Sequence, residues 1–423
     1  MTQIVIGDLM MNECRKNSKY INLIEYILII ALYYVTGGAF SYTAYNVQIT
    51  VFFIFSFATC VLLGKINQIF QKQIFIFLSL EGLFLLLVPF LNNDSYTSYI
   101  AIIMQLFIGA FCAIIIPLEN FKYKYIRIMV FFAFVSLICF SLGFIYPQII
   151  TKFPKIVGDA SVDYYNAFIY VFMTAKGYAT TVLTTRNAGI CWEPGCYQVF
   201  LNIALFFLLI TEEKKHQKRF VLYFLIFVIT ILTTLSSLGI ILLVLNLVRF
   251  RKILLKKILK NSTYFLISLF AIIISIVLLF QFGFVDTMFE KINHEFIVSS
   301  KEKGGLFDRI SLDRIGYIME DGFWFLGMSF QRWLTFNKSL WNSVIHSFLC
   351  LGTPFTLMHL FMYWRGSRRL AFGSVILFAI MLMSASTETL FWRVFFNTIA
   401  FYGVIELQSY SNNEVGKLGY FKD

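Results

Sequence analysis

Apolar runs of about twenty residues return again and again along this chain, with short polar interruptions between them. A helix needs about that length to cross the hydrocarbon core of a bilayer, so the pattern predicts a series of membrane spans. The first lies near Asn22–Thr36, and after the uncharged stretch 37–48 a second reaches about Leu63. Others are predicted near Ile74–Phe90, near Tyr99–Ile116, up to Tyr146-Pro147, and near Tyr197–Ile210. The run Phe220–Val248 is too long for one span, and Thr233-Thr234-Leu235-Ser236-Ser237-Leu238-Gly239 interrupts it. It reads as two short helices with a polar re-entry point between them. Further spans are expected near Tyr264–Phe280 and Val344–Tyr363, with two more closing the chain.

The expected fold is an all-α integral membrane protein, one polytopic domain over residues 1–423 with about twelve transmembrane helices. Two long loops stand out, 148–185 and 283–342, and loops of such length are usually functional. Within the first, Tyr164–Met173 is dense in aromatics and is expected to lie flat in the interface as a short amphipathic helix.

Composition supports the class and removes alternatives. The chain is 59% hydrophobic and 14% charged, with a mean hydropathy of +0.76, which excludes a soluble domain. The net charge of +12 raises the question of nucleic acid. The Lys and Arg, however, sit in short clusters between apolar runs, which is a topology signal, and no nucleic-acid partner is expected. Lys122, Lys124 and Arg127 read as one basic turn, and Arg365-Gly366-Ser367-Arg368-Arg369 as another. With both termini on the inner side, most of the 35 Lys and Arg fall inside and both long loops face outward. No cleavable signal peptide is evident. Seven cysteines without a Cys-x-x-Cys pair give neither a disulfide framework nor a zinc site, and Cys191 and Cys196 read as free thiols. Four scattered histidines supply no metal motif, and no cofactor is expected.

The outward loops hold Arg186, Arg309, Arg314 and Arg332, and His346 stands where the second loop dips back into the membrane. The segment Thr185–Tyr197 sets Arg186, Trp192 and Glu193 at the mouth of a span. Ionisable groups at membrane depth are costly and therefore functional by default. A guanidinium binds phosphate oxygens through a planar fork, and an imidazole accepts a proton near neutral pH. Together they suit a reaction in which a lipid-borne pyrophosphate leaves and a hydroxyl attacks. Simpler readings stand beside this one. Interfacial arginines also anchor topology. His346 also reads as a hydrogen-bonded core histidine. Glu193, before Pro194, also suits a helix N-terminus. Glu81, inside the third span, reads equally as half of a buried pair or as a catalytic group. Glu388 and Arg393 are off the i, i+4 face, so no simple helical salt bridge is expected between them.

The segment Arg186-x-x-Gly189-Ile190-x-Trp192-Glu193-Pro194 at the head of a span resembles the signature of the O-antigen polymerase and ligase superfamily. Arg309 precedes Gly327 at an interval close to the family's. His346-Ser347-Phe348-Leu349 resembles its His-Asn-x-x-Leu, and Thr234-Leu235-Ser236-Ser237 its Thr-x-Ser-Arg hairpin. Ser386-Thr387-Glu388-Thr389 resembles its late Ser-Glu turn. The similarity covers roughly the C-terminal two-thirds of the chain. Ser237 stands where the family often has arginine, so an anion contact there is either lost or supplied elsewhere, with Arg393 the candidate. Ser347 replaces an asparagine, and Gly352 comes earlier than the family's glycine pair, which gives the tenth span a different start.

The resemblance implies a Wzy-type polysaccharide polymerase, a GT-C-like, metal-independent membrane glycosyltransferase at the outer face of the bacterial cytoplasmic membrane. Donor and acceptor would be polyprenyl-pyrophosphate-linked oligosaccharides held beside membrane lipid, with a chain-length regulator and a flippase as further partners. The product would be an O-antigen or capsule. Arg186 and Arg309 would hold the pyrophosphate, and His346 would orient or deprotonate the attacking hydroxyl. Arg314 and Arg332 would bind lipid phosphate or acidic sugars. Trp192, Trp324 and Trp333 would offer stacking faces, with Glu193 as the alternative base. An O-antigen ligase shares these motifs. A flippase for the same lipids is the alternative from another class, although no internal repeat is visible here.

Overall fold

The computed structural model describes residues 2–39, 41–156, 162–175, 186–211, 217–252, 254, 325–335, 342–371 and 375–405. The ninth span and most of the second long loop lie outside these, as do Arg309, Arg314 and Trp324.

Long apolar segments form helices α1 (Thr2–Gly37), α2 (Ser41–Leu62), α3 (Lys72–Asn92, with Pro89 in its last turn), α4 (Thr97–Ile115) and α5 (Leu118–Ile145). Within them five segments are long and apolar enough to cross a membrane, beginning at Lys19 in α1 and at Tyr45 in α2. Two-thirds of the α4 window (67%) is buried against 28% of that in α2, so α4 is central and α2 peripheral. Exposed Val47, Val51 and Ile54 form the outer face of α2, where lipid is the natural solvent. A knot of aromatics (Tyr33, Tyr125, Phe200 and Phe395) joins α1 and α5 to two later helices.

The expected basic turn at Lys122, Lys124 and Arg127 is instead helical. The chain turns at Ile116-Pro117, where proline sits at the N-cap of α5. Lys124 is buried, donating to Glu25 on α1 at 2.5 Å. A like-for-like exchange of a solvated turn for a buried ion pair is affordable only because the carboxylate is close.

The expected interfacial helix at Tyr164–Met173 is a β-hairpin. A 3-10 turn over Pro147–Lys152 leads to a three-stranded antiparallel sheet, β1 (Lys155–Ile156), β2 (Val162–Asn166) and β3 (Val171–Ala175), in the order β1-β2-β3. β-Branched and aromatic residues favour the pleated surface. Asn166 closes the hairpin by accepting from Phe168 N at 2.6 Å, with Phe168 at φ 64°. The described residues are therefore predominantly helical, with one small sheet among them.

Pro194 opens α6 (Pro194–Ile210), which is buried along almost its entire length. The broken hydrophobic run forms α7 (Gln217–Thr233) and α8 (Ser237–Arg249), as its polar centre predicts. Ser236 caps α8 by accepting from Gly239 N. After the short helix α9 (Phe330–Thr335), the single expected span at Val344–Tyr363 is two helices, α10 (Ser343–Leu351) and α11 (Thr353–Leu370). Gly352 breaks it at φ 86°, a value that favours glycine, and Pro354 follows in the first turn of α11. The Arg365–Arg369 cluster forms the last turns of α11 rather than a turn of its own, the basic end of a helix dipole. In place of the two expected closing spans stand the shorter helices α12 (Ile376–Thr387) and α13 (Val394–Phe401), of 12 and 8 residues. At 1.5 Å per residue neither crosses a bilayer alone. The turn 388–393 separates them.

Candidate functional site

The segment Arg186–Glu193 is stitched into the bundle by its own backbone. Asn187, fully buried, donates from its amide to Ser136 and Thr233 hydroxyls, both at 3.1 Å, and accepts from Gly189 N at 3.0 Å. Gly189 has φ 58°, and a Cβ there would strike the Tyr197 ring at 2.7 Å. Ile190 O accepts from Ala39 N at 2.9 Å, and Trp192 N donates to Gly37 O at 3.2 Å. The segment therefore pairs with the C-terminal end of α1. Arg186 donates from Nε to Thr234 O at 3.1 Å, which joins it to the polar break between α7 and α8. Cys191 and Cys196 are both free and buried.

From there the chain delivers Trp192 and Glu193 to the N-terminus of α6. Trp192 Nε1 donates to Glu193 Oε1 at 3.2 Å. A Cβ placed on Gly195 would collide with Glu388 Oε1 and lie 3.9 Å from Glu193 Cδ. Two carboxylates thus converge on the positive end of the α6 dipole. Arg393 faces them from the turn after α12. Its guanidinium lies 4.1 Å from the Tyr45 ring centroid and 5.7 Å from that of Trp192. Its Nε donates to Thr389 O at 3.1 Å, while Nη1 is buried with no hydrogen-bond partner among the described residues. Tyr45 in turn donates to Gln105 at 2.7 Å.

The residue before Arg393 opens a second compartment. His346, on α10, is walled by Phe330, Trp333 and Trp392 at ring-centroid distances of 5.5, 5.9 and 5.6 Å. Its Nε2 is buried without a hydrogen-bond partner among the described residues. Asn342 caps α10 by accepting from Val344 N and Ile345 N. Ser343 Oγ fixes the helix to the 388–393 turn, being 2.7 Å from Glu388 O and accepting from Phe391 N at 3.1 Å. That turn is held from behind as well. Phe391 O lies 3.1 Å from His359 Nε2 and accepts from the Tyr363 hydroxyl. His359 Nδ1 meets Glu81 at 2.9 Å, so Glu81 has its partner within the bundle.

Phe330 and Trp333 reach His346 because Asp94 anchors their helix. The loop carboxylate accepts from Gln331 N at 3.1 Å and from the Tyr99 hydroxyl at 2.8 Å, and Tyr99 itself accepts from Phe330 N at 3.1 Å. Burial would push the Asp94 carboxyl up. The hydrogen bonds from Gln331, Tyr99, Ser95 and Ser329 outweigh it and hold the group below its ordinary value.

Of the residues proposed from sequence, Trp192, Glu193 and Arg393 meet at the head of α6, and His346 joins them through Trp392. Arg186 sits one segment away on the α7–α8 break, and Arg332 is an exposed residue of α9, one residue before Trp333. Tyr45, Gln105, Trp392 and the positioning roles of Asp94 and Glu388 are absent from a reading of the sequence. Asp94, the lone acid of the short loop between α3 and α4, and Glu388, in the Ser-Glu turn, were the visible hints. No protein-family model, curated protein or solved structure matches the chain.

Proposed function

We propose that the protein is a polytopic membrane glycosyltransferase that joins polyprenyl-pyrophosphate-linked oligosaccharide repeat units into a surface polysaccharide. The observation that carries this reading is the pair of adjoining compartments at the head of α6. One holds a guanidinium with an N–H unanswered among the described residues, and the other an imidazole with a ring nitrogen likewise unanswered, with Trp392 beside both. Aromatic faces line both, and the Glu193 and Glu388 carboxylates stand at the first, a combination suited to sugars.

In this reading both termini are inside and the compartments open to the outer face. Arg393 and Arg186, with Arg309 from the second loop, bind the donor pyrophosphate and stabilise its charge as it leaves. The acceptor hydroxyl oxygen attacks the anomeric carbon of the donor sugar. The bond from that carbon to the pyrophosphate oxygen breaks, and its electron pair departs with the pyrophosphate. The hydroxyl proton passes to His346 Nε2, with Glu193 as the alternative acceptor. Trp192 and Trp333 stack on the sugars, and Arg332 and Arg314 contact phosphate or acidic sugars.

The test is to supply purified, reconstituted protein with lipid-linked repeat units and to resolve the products by size. A ladder of products is expected. A single transfer to a lipid core would make the protein a ligase. No new glycosidic bond, with the lipid moved between leaflets, would make it a transporter.

A further inference from the structure

A second cationic cleft lies away from these compartments, between the N-terminal part of α5, the C-terminal end of α6 and the N-terminal end of α7. It is an open cleft of about 30 Å³, a surface on which a headgroup's oxygens can dock rather than a cavity that encloses a whole ligand. Arg127 and Arg219 line it with Tyr123 and Tyr223, over an apolar floor of Leu208 and Phe220. Arg127 stacks on the Tyr123 ring at 4.0 Å and donates to the hydroxyls of Tyr123 and Tyr26. A guanidinium has five N–H donors, so others remain for an incoming oxygen. Both arginines are exposed, and among the described residues no carboxylate forms an ion pair with either.

We propose that this cleft binds the phosphate of an anionic phospholipid. Two guanidiniums held by different helices suit the oxygens of a phosphodiester, and basic pockets between spanning helices suit anionic headgroups. The argument for a lipid over free phosphate comes from α5 itself. Phe131, Phe134, Ile138 and Leu142 are 54, 52, 46 and 45% exposed, and they follow Arg127 at helical spacing. They form an apolar stripe that begins at the cleft and runs along the span. A headgroup on Arg127 would lay its acyl chains along that stripe. Leu222, 55% exposed beside Tyr223, extends the apolar surface on the α7 side.

The test is native mass spectrometry of the full chain, released from mixed micelles of phosphatidylglycerol and phosphatidylcholine. The wild type should retain phosphatidylglycerol by about tenfold or more over phosphatidylcholine, since each basic residue near a surface contributes about 1 kcal/mol toward anionic lipid. In the double variant R127A/R219A that preference should disappear, while Arg365→Ala, on α11, leaves it intact. An unchanged preference in the double variant overturns the proposal. So does loss of bound lipid on adding millimolar inorganic phosphate at constant ionic strength, which would make the cleft a site for free phosphate. If the double variant gives no protein, Arg219→Gln alone carries the test: a several-fold drop supports the site, and no drop overturns it.

Discussion

Glu81 and His359 meet at 2.9 Å inside the bundle, on α3 and α11, with both side chains fully buried. Removing one member of a buried pair strands the other and costs about 3–5 kcal/mol, whereas replacing both with apolar residues is often neutral. Glu81→Leu and His359→Leu should each lower the unfolding midpoint of the detergent-solubilised protein sharply. The double leucine variant should recover most of the loss. A double variant that loses the sum of the two single losses would show that the pair contributes no coupling energy.

The Asp94 contact gives the α9 segment a defined pH response. Its folded-state value is depressed, so its stabilising effect is fully present above the unfolded value of about 3.9 and is lost as pH falls through the lower folded value. Protection of the Phe330 and Gln331 amides, measured as exchange relative to the unstructured chain, should hold from about pH 7 down to 5 and fall below about 4. Asp94→Asn should lower that protection at about pH 5–7, by the equivalent of about 1–3 kcal/mol for hydrogen bonds to a charged acceptor, and the two proteins should converge as the wild-type carboxylate is protonated.

Gly195→Ala sets two effects against each other. Alanine within a helix is worth about 0.5–1 kcal/mol over glycine, yet the added Cβ meets Glu388 Oε1. Displacing that carboxylate should disturb the site more than the helix. The expected result is a transition temperature within a few degrees of wild type and transfer activity reduced about 10-fold or more. Wild-type activity in this variant would separate Glu388 from the reaction.

His346 and Arg393 should fail differently. His346→Ala is expected to cut turnover by about 10²–10⁴-fold while donor-lipid binding survives. Arg393→Ala should weaken donor binding and turnover together. Arg393→Lys should recover only part of the loss, because a point charge lacks the planar fork. Donor binding measured beside single-turnover bond formation separates the two. If His346→Ala loses both equally, the imidazole belongs to the donor site or the core.

Much of the helical frame was legible because membrane spans announce themselves as long apolar runs. The first four spans, from Lys19 to Ile115, agree with the sequence reading to within a few residues, and the fifth agrees at its C-terminal end but begins at Leu118, ahead of the basic residues expected to precede it. The failures share a cause. Where every residue is apolar or aromatic, periodicity no longer separates strand from helix, and Tyr164–Met173 went astray on that account. Gly352 and Pro354 broke a span whose hydropathy alone is continuous. Within the site, Trp192, Glu193, Arg393 and His346 were found because polar groups are rare in this chain. Their partners were not, since Tyr45, Asp94 and His359 reach the site from elements far away in sequence.

The turn carrying Trp392 and Arg393 is tied down on three sides. Ser343 binds it from α10, His359 and Tyr363 hold the Phe391 carbonyl, and Thr36 of α1 receives the Phe395 N–H just beyond it at 3.0 Å. Residues fixed this way have already lost their conformational entropy when the chain folds. In the proposed transfer, little further ordering of this turn accompanies the rise to the transition state. The temperature dependence of turnover should register that: Ser343→Ala, which loosens the turn without touching substrate, should make the activation entropy more negative.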